Sequence, residues 1–162
     1  LSGDTDFNEA FATAVGEAGT RRWLQSKGRS RELAVYESGK RFQRAVISEL
    51  LACRDRLNTL YGEPPEGGES ALRGRKAAEL QTLRKTVRQL RLDHGVTAPA
   101  KGAPTARLNN ASLNSAAAYY TLLPGFERIL GEVHGDIGGF FARVEAMKPL
   151  SREQRKALLA AP

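Results

Sequence analysis

Residues 42 to 60 constrain this chain more than any other stretch. Phe42, Val46, Leu50, Cys53, Leu57 and Leu60 recur at intervals of four, four, three, four and three. A strand alternates its side chains every second residue, so only an α-helix gathers that set onto one face. Ser30 can cap this helix, which the pattern carries to about Tyr61. GEPPEGG, residues 62–68, then ends it, because Pro64 and Pro65 lack an amide donor and cannot continue the ladder. Beyond the break Leu80, Leu83, Val87 and Leu90 repeat at three, four and three, within a helix expected from about Ser70 to Asp93. Two long amphipathic helices joined by a short Pro/Gly turn bury their stripes by folding back on each other, which predicts an antiparallel hairpin over residues 30–93.

The rest of the chain carries the same periodicity. Asp4 or Thr5 can cap a first helix with Phe7, Phe11, Val15 and Ala18 on one face; Gly19 is either an early stop or an interior glycine, and Gly28 is the firmer end. Residues 94–106, HGVTAPAKGAPTA, read as an extended loop of a length often linked to function or mobility. C-terminal helices follow over 107–162: one capped by Asn109 or Asn110 and stopping before Pro124, one from Pro124 carrying Phe126, Ile129, Leu130 and Val133, and one capped by Asp136 with Ile137, Phe140, Phe141, Val144 and Met147 inward. Ser151 and Gln154 form a capping-box pattern ahead of RKALLAA. Alternating β-type runs are almost absent, so the expected fold is all-α: a helical bundle containing a long antiparallel helical hairpin, as a single helical domain over 1–162.

Composition narrows the function classes. A chain of 162 residues can bury a sizeable core without covalent staples. Cys53 is the only cysteine, which excludes an internal disulfide and any multi-cysteine zinc site, and its leucine neighbours suggest a plain buried thiol. Lysine and arginine outnumber the acids 25 to 18, a balance that permits acidic partners without establishing one. The cations are spread along the helices without the aromatic interleaving that single-strand binders stack on, so a solvated basic face is favoured and no nucleic acid is expected. No run of 18 apolar residues exists to span a bilayer. The chain starts at Leu1 rather than Met, so it is expected to be part of a longer gene product.

One carboxylate stands out. Glu9 lies between Phe7 and Phe11, beside Asn8 and one turn before Thr13. Burying it unpaired would cost several kcal/mol. Either it points to solvent, or a cation supplies the missing charge.

The residues themselves add to that choice. FNEAFA resembles the LNEGFA stretch of the aminopeptidase N family of zinc peptidases, and DTDFNEAFATAVGEAGTRRWL with LNNASLNSAAAYYTLLPGFERIL resembles a bacterial family of predicted zinc-dependent aminopeptidases. The resemblance implies a gluzincin-like metallopeptidase with one zinc, held by two histidines of an H-E-x-x-H helix and by a glutamate matched here by Glu9. Two imidazoles and one carboxylate leave zinc an open position for water. Asn8 and Thr13 become candidates to orient the Glu9 helix, Tyr119 a catalytic candidate donating to the oxyanion, and Asn110 a candidate substrate-binding amide. Structural roles stay open beside these: one tyrosine of the Tyr119–Tyr120 pair can pack while the other faces water, and Asn110 can simply cap its helix. Arg21, Arg22 and Arg107 could meet a peptide carboxylate, with no spacing to single one out.

H-E-x-x-H is absent from this sequence. Its two histidines, His94 and His134, each precede glycine near a helix end, where capping is the simpler role. In the resembling family the H-E-x-x-H helix lies shortly before the stretch matching DTDFNE. The chain is therefore expected to be the C-terminal part of a larger metallopeptidase, inactive by itself, with a peptide substrate and the remaining N-terminal part of the same protein as partners. The resemblance further implies a periplasmic lipoprotein of the bacterial cell envelope. A non-catalytic helical interaction module and a basic nucleic-acid-binding domain are the competing readings.

Overall fold

The computed structural model describes residues 1–62, 67–96 and 108–160, and of residues 118 and 119 the backbone alone. Among the described residues there are seven helices and no strand, so the protein is all-α. In order they are α1 (Thr5–Ser26), α2 (Ser30–Gly62), α3 (Gly68–Asp93), α4 (Asn110–Tyr120), α5 (Leu123–Glu132), α6 (Ile137–Glu145) and α7 (Arg152–Ala160). The helices build two compact units, one from Leu1–Leu33 with Ala118–Pro162 and the other from Ala34–Ala117.

In the first unit α5 is the hub, packing against α1, α6 and α7. Phe126 of α5 and Phe140 of α6 are wholly buried, and Phe7 of α1 meets Phe126 edge-on at 5.0 Å between ring centroids, a favoured aromatic geometry. The inner stripe of α1 is Phe7, Ala10, Ala14, Glu17 and Leu24, with Phe11 and Val15 half-buried beside it. Gly19 is interior to α1, and the chain turns at Gly28 with φ 64°. Gly125 matters for a different reason: a Cβ there would lie 2.2 Å from the Leu159 carbonyl oxygen, so only glycine lets α7 lie this close to α5.

Local capping follows the sequence pattern closely here. Asp136 accepts from the Gly138 and Gly139 amides at 3.3 and 2.9 Å. Ser151 and Gln154 close a reciprocal box, Ser151 N–H donating to Gln154 Oε1 at 2.8 Å and Gln154 N–H to Ser151 Oγ at 3.2 Å.

Two expectations are corrected in this unit. Asp4 stands at the N-cap position of α1, yet its carboxylate makes no cap bond. It is buried and takes two hydrogen bonds from Arg155 of α7, at 2.6 and 3.0 Å to Oδ2. Arg155 also donates to the Leu150 carbonyl and lies over the Phe7 ring, and Arg152 reaches Asp6 at 2.9 Å. A buried guanidinium needs a counter-charge more than a helix start needs one more acceptor, so the ion pair takes the carboxylate. Phe141, expected inside, is 46% exposed and rests edge-on against Phe11 at 5.5 Å, because Phe140 already occupies the inward position.

The second unit is the hairpin with the start of α4 against it. Phe42, early in α2, meets His94 just after α3 at 5.9 Å, while Arg56, further along α2, bonds Glu79, nearer the start of α3, at 2.9 Å. The two helices therefore run antiparallel. Val46, Leu50, Cys53 and Leu57 from α2 and Leu80, Leu83 and Val87 from α3 share one core with Leu108, Leu113 and Ala116. Asn109 caps α4, its Oδ1 accepting from the Ser112 amide at 2.9 Å. The proline pair of GEPPEGG and most of the 94–106 loop lie outside the described residues.

Candidate functional site

The stripe of α1 decides where Glu9 points. Each residue advances about 100° around a helix, so Glu9 stands about 200° from Phe7 and from Phe11 and falls opposite the buried row. It is exposed, and among the described residues its carboxylate makes no hydrogen bond or ion pair. The backbone beneath it is held from both sides. The Thr13 hydroxyl donates to the Glu9 carbonyl at 2.8 Å. Asn8 donates to the Leu1 carbonyl and accepts from the Leu1 amino nitrogen, both at 2.6 Å, which pins the residues leading into the helix. Asn8 and Thr13 thus bond main-chain atoms around Glu9 rather than its carboxylate. The result is a free carboxylate on a rigid support.

The other candidates sit elsewhere. Asn110 belongs to the second unit, where its amide donates to the Tyr61 hydroxyl at 3.4 Å; the cap role falls to its neighbour Asn109. Tyr119 lies in α4, with its side chain outside the described residues. Tyr120 packs against the first core. Arg21 pairs with buried Glu17 at 3.3 Å, Arg22 is exposed, and Arg107 lies outside the described residues.

Both histidines serve helix ends. The His94 amide donates to the Leu90 carbonyl at 3.0 Å, and its ring lies against Phe42. His134 adopts φ 52°, with Gly135 at 77°, as the backbone leaves α5. Among the described residues no three or more His, Cys, Asp or Glu side chains gather where they could hold a metal ion.

Cys53, Arg56 and Glu153 carry the electrostatic shifts. Burial pushes the Cys53 thiol up in the second core. The hydrogen bond to Glu79 raises Arg56. At the start of α7 the Glu153 carboxyl is lowered, first by its own backbone amide and then by the Ser151 hydroxyl. A shallow groove of about 320 Å³ lies in the second unit between Arg56, Leu60, Arg75 and Glu79. The polar network that sequence reasoning missed is Asp4–Arg155 with Arg152 and Asp6; its members stand at opposite ends of the chain, and no spacing rule connects them.

No curated protein and no solved structure matches the chain. A family model does, over residues 1–159, so it takes in both units and every candidate residue discussed above. The chain therefore belongs to the family described as "Putative aminopeptidase".

Proposed function

We propose that this chain is the part of a zinc-dependent aminopeptidase that supplies the third protein ligand, Glu9, and part of the wall of the substrate cleft. One observation carries the reading beyond the family match: Glu9 is an exposed carboxylate, unengaged among the described residues, on a helix whose opposite side is locked into an aromatic core. A ligand helix needs a donor at a fixed position with no competing partner. Thr13 and Asn8 serve by holding the helix and the residues before it. Tyr119, which belongs to the same unit as Glu9, is assigned as donor to the oxyanion that forms during peptide hydrolysis. When bound, zinc with three protein ligands keeps an open position and brings the pKa of its water toward neutrality. The two imidazoles would come from an H-E-x-x-H segment of the same gene product, since neither His94 nor His134 stands in that motif.

Metal analysis of the intact gene product tests the assignment. Glu9→Gln removes the anionic donor while keeping its shape, so zinc content should fall from one per chain to a small fraction of that. Unchanged zinc content in a folded Glu9→Gln variant rejects Glu9 as ligand. Absence of H-E-x-x-H from the complete coding sequence rejects the zinc peptidase reading as a whole.

A further inference from the structure

The positive charge of this protein is segregated. Residues 34–117 carry 14 lysines and arginines against 8 aspartates and glutamates, so this one unit accounts for six of the seven net positive charges. The unit bearing Glu9 is close to neutral.

Within the charged unit the excess gathers at the His94 end of the hairpin. Arg84, Arg88 and Arg91 recur at four and three along α3, with Lys85 beside them, and form a row about 10 Å long. The Phe42–His94 contact brings Arg41 of α2 to the same end. Among the described residues none of these five cations pairs with a carboxylate, whereas Arg56 in mid-hairpin is matched by Glu79. The same end carries the two most exposed large aliphatic side chains of the described residues, Leu92 at 69% and Val35 at 68%. Val35 stands about 10 Å before Phe42 along α2.

We propose that this end of the hairpin adsorbs to the surface of an anionic lipid bilayer. Unpaired cations beside protruding aliphatic side chains match a surface whose outer layer is negative and whose next layer is apolar. Each cation near such a surface contributes to binding, and the aliphatic groups gain by leaving water. The pairing favours lipid over nucleic acid. Phosphate contacts need the cations but give Val35 and Leu92 nothing to enter, and the described aromatic rings at this end are half-buried rather than open for base stacking: Phe42 and His94 lie against each other at 5.9 Å, and Tyr36 has the Lys40 ammonium 5.7 Å from its centre.

The test is flotation of the full chain with phosphatidylcholine vesicles that contain or lack phosphatidylglycerol. Adsorption should require phosphatidylglycerol and weaken as salt rises. R84Q/K85Q/R88Q/R91Q should lower the partition coefficient by about fivefold per charge removed, while R84K/R88K/R91K retains it. L92S should lower it by roughly fivefold without changing the salt dependence. Circular dichroism confirms that each variant is folded. Should the quadruple variant not fold, the salt titration of the unmodified chain and the L92S comparison decide. No adsorption to phosphatidylglycerol vesicles, equal adsorption to pure phosphatidylcholine, or adsorption unaffected by loss of the four charges overturns the proposal. So does displacement from the vesicles by an equal concentration of duplex DNA or polyglutamate, combined with no effect of L92S.

Discussion

The Asp4–Arg155 pair should be the most costly polar contact to break in half. Asp4 is 3% and Arg155 8% exposed, so neither charge can turn to water when its partner goes. In Asp4→Asn the guanidinium keeps the Leu150 carbonyl but loses the counter-charge that takes two of its hydrogen bonds, and Arg152, 3.6 Å from Oδ1, loses an attraction as well. Leaving one buried charge unpaired costs about 3–5 kcal/mol. Asparagine retains one acceptor, which places this variant near the lower end, at about 3 kcal/mol. Arg155→Met should cost less, about 2 kcal/mol, because Arg152 is 46% exposed and can swing toward the orphaned carboxylate. The double variant removes both charges, so it should cost clearly less than the two single variants together, with a coupling of about 1.5–3 kcal/mol. Urea unfolding read by Trp23 fluorescence measures this, since the only tryptophan lies on α1 within the same unit as the pair. Single variants that each cost under about 0.5 kcal/mol with additive effects would show that the pair is solvated and refute the reasoning.

Gly125→Ala should destabilise by about 1–3 kcal/mol, because the new Cβ meets the Leu159 backbone at 2.2 Å and α7 must move; Gly16→Ala, with open space at its Cβ, should instead stabilise α1 by about 0.5–1 kcal/mol in the same urea assay. Asp136→Ala should cost about 1 kcal/mol through loss of two amide bonds at the start of α6, and Asp136→Ser should recover much of it in thermal melts. Cys53 should resist a thiol reagent in the folded protein and react at once in guanidinium, since it is wholly buried in the second core; equal rates would contradict that burial. Its raised thiol also sets a sign: above about pH 8.5 the unfolded chain loses the proton first, so this residue's contribution is complete below that pH and declines above it, and Cys53→Ala should flatten the alkaline loss of stability.

Glu9→Gln should leave urea stability of the chain within about 0.5 kcal/mol of the parent, as befits an exposed carboxylate unengaged among the described residues. That outcome matters for the zinc assignment, because a loss of metal without a loss of fold identifies a ligand.

Elements whose signals are local were legible from the amino acids alone. The four-and-three stripes of α2 and α3 specified two long helices, and their boundaries fall within two residues of those expected from periodicity and the glycine and proline breaks. The caps at Asp136 and Ser151–Gln154 were legible for the same reason, since a capping side chain and the amide it accepts from are two or three residues apart. The presence of a carboxylate at position 9 and the family resemblance around it were likewise matters of sequence.

Tertiary structure decided which apolar residues share a core and which polar ones leave their local role. Phe140 and Phe141 are equal in hydropathy, and only the position of α1 and α5 around them sends one inside and leaves the other at the edge. Asp4 carries the local signature of a cap, but a guanidinium from the far end of the chain outbids the helix amides for its oxygens. Glu9 has apolar neighbours in sequence, yet the core claims Phe7, Ala10 and Ala14, and helical rotation then turns the carboxylate outward. Periodicity states which residues lie together on a helix. Only packing states which of those faces is buried, because that depends on partners the local sequence does not contain.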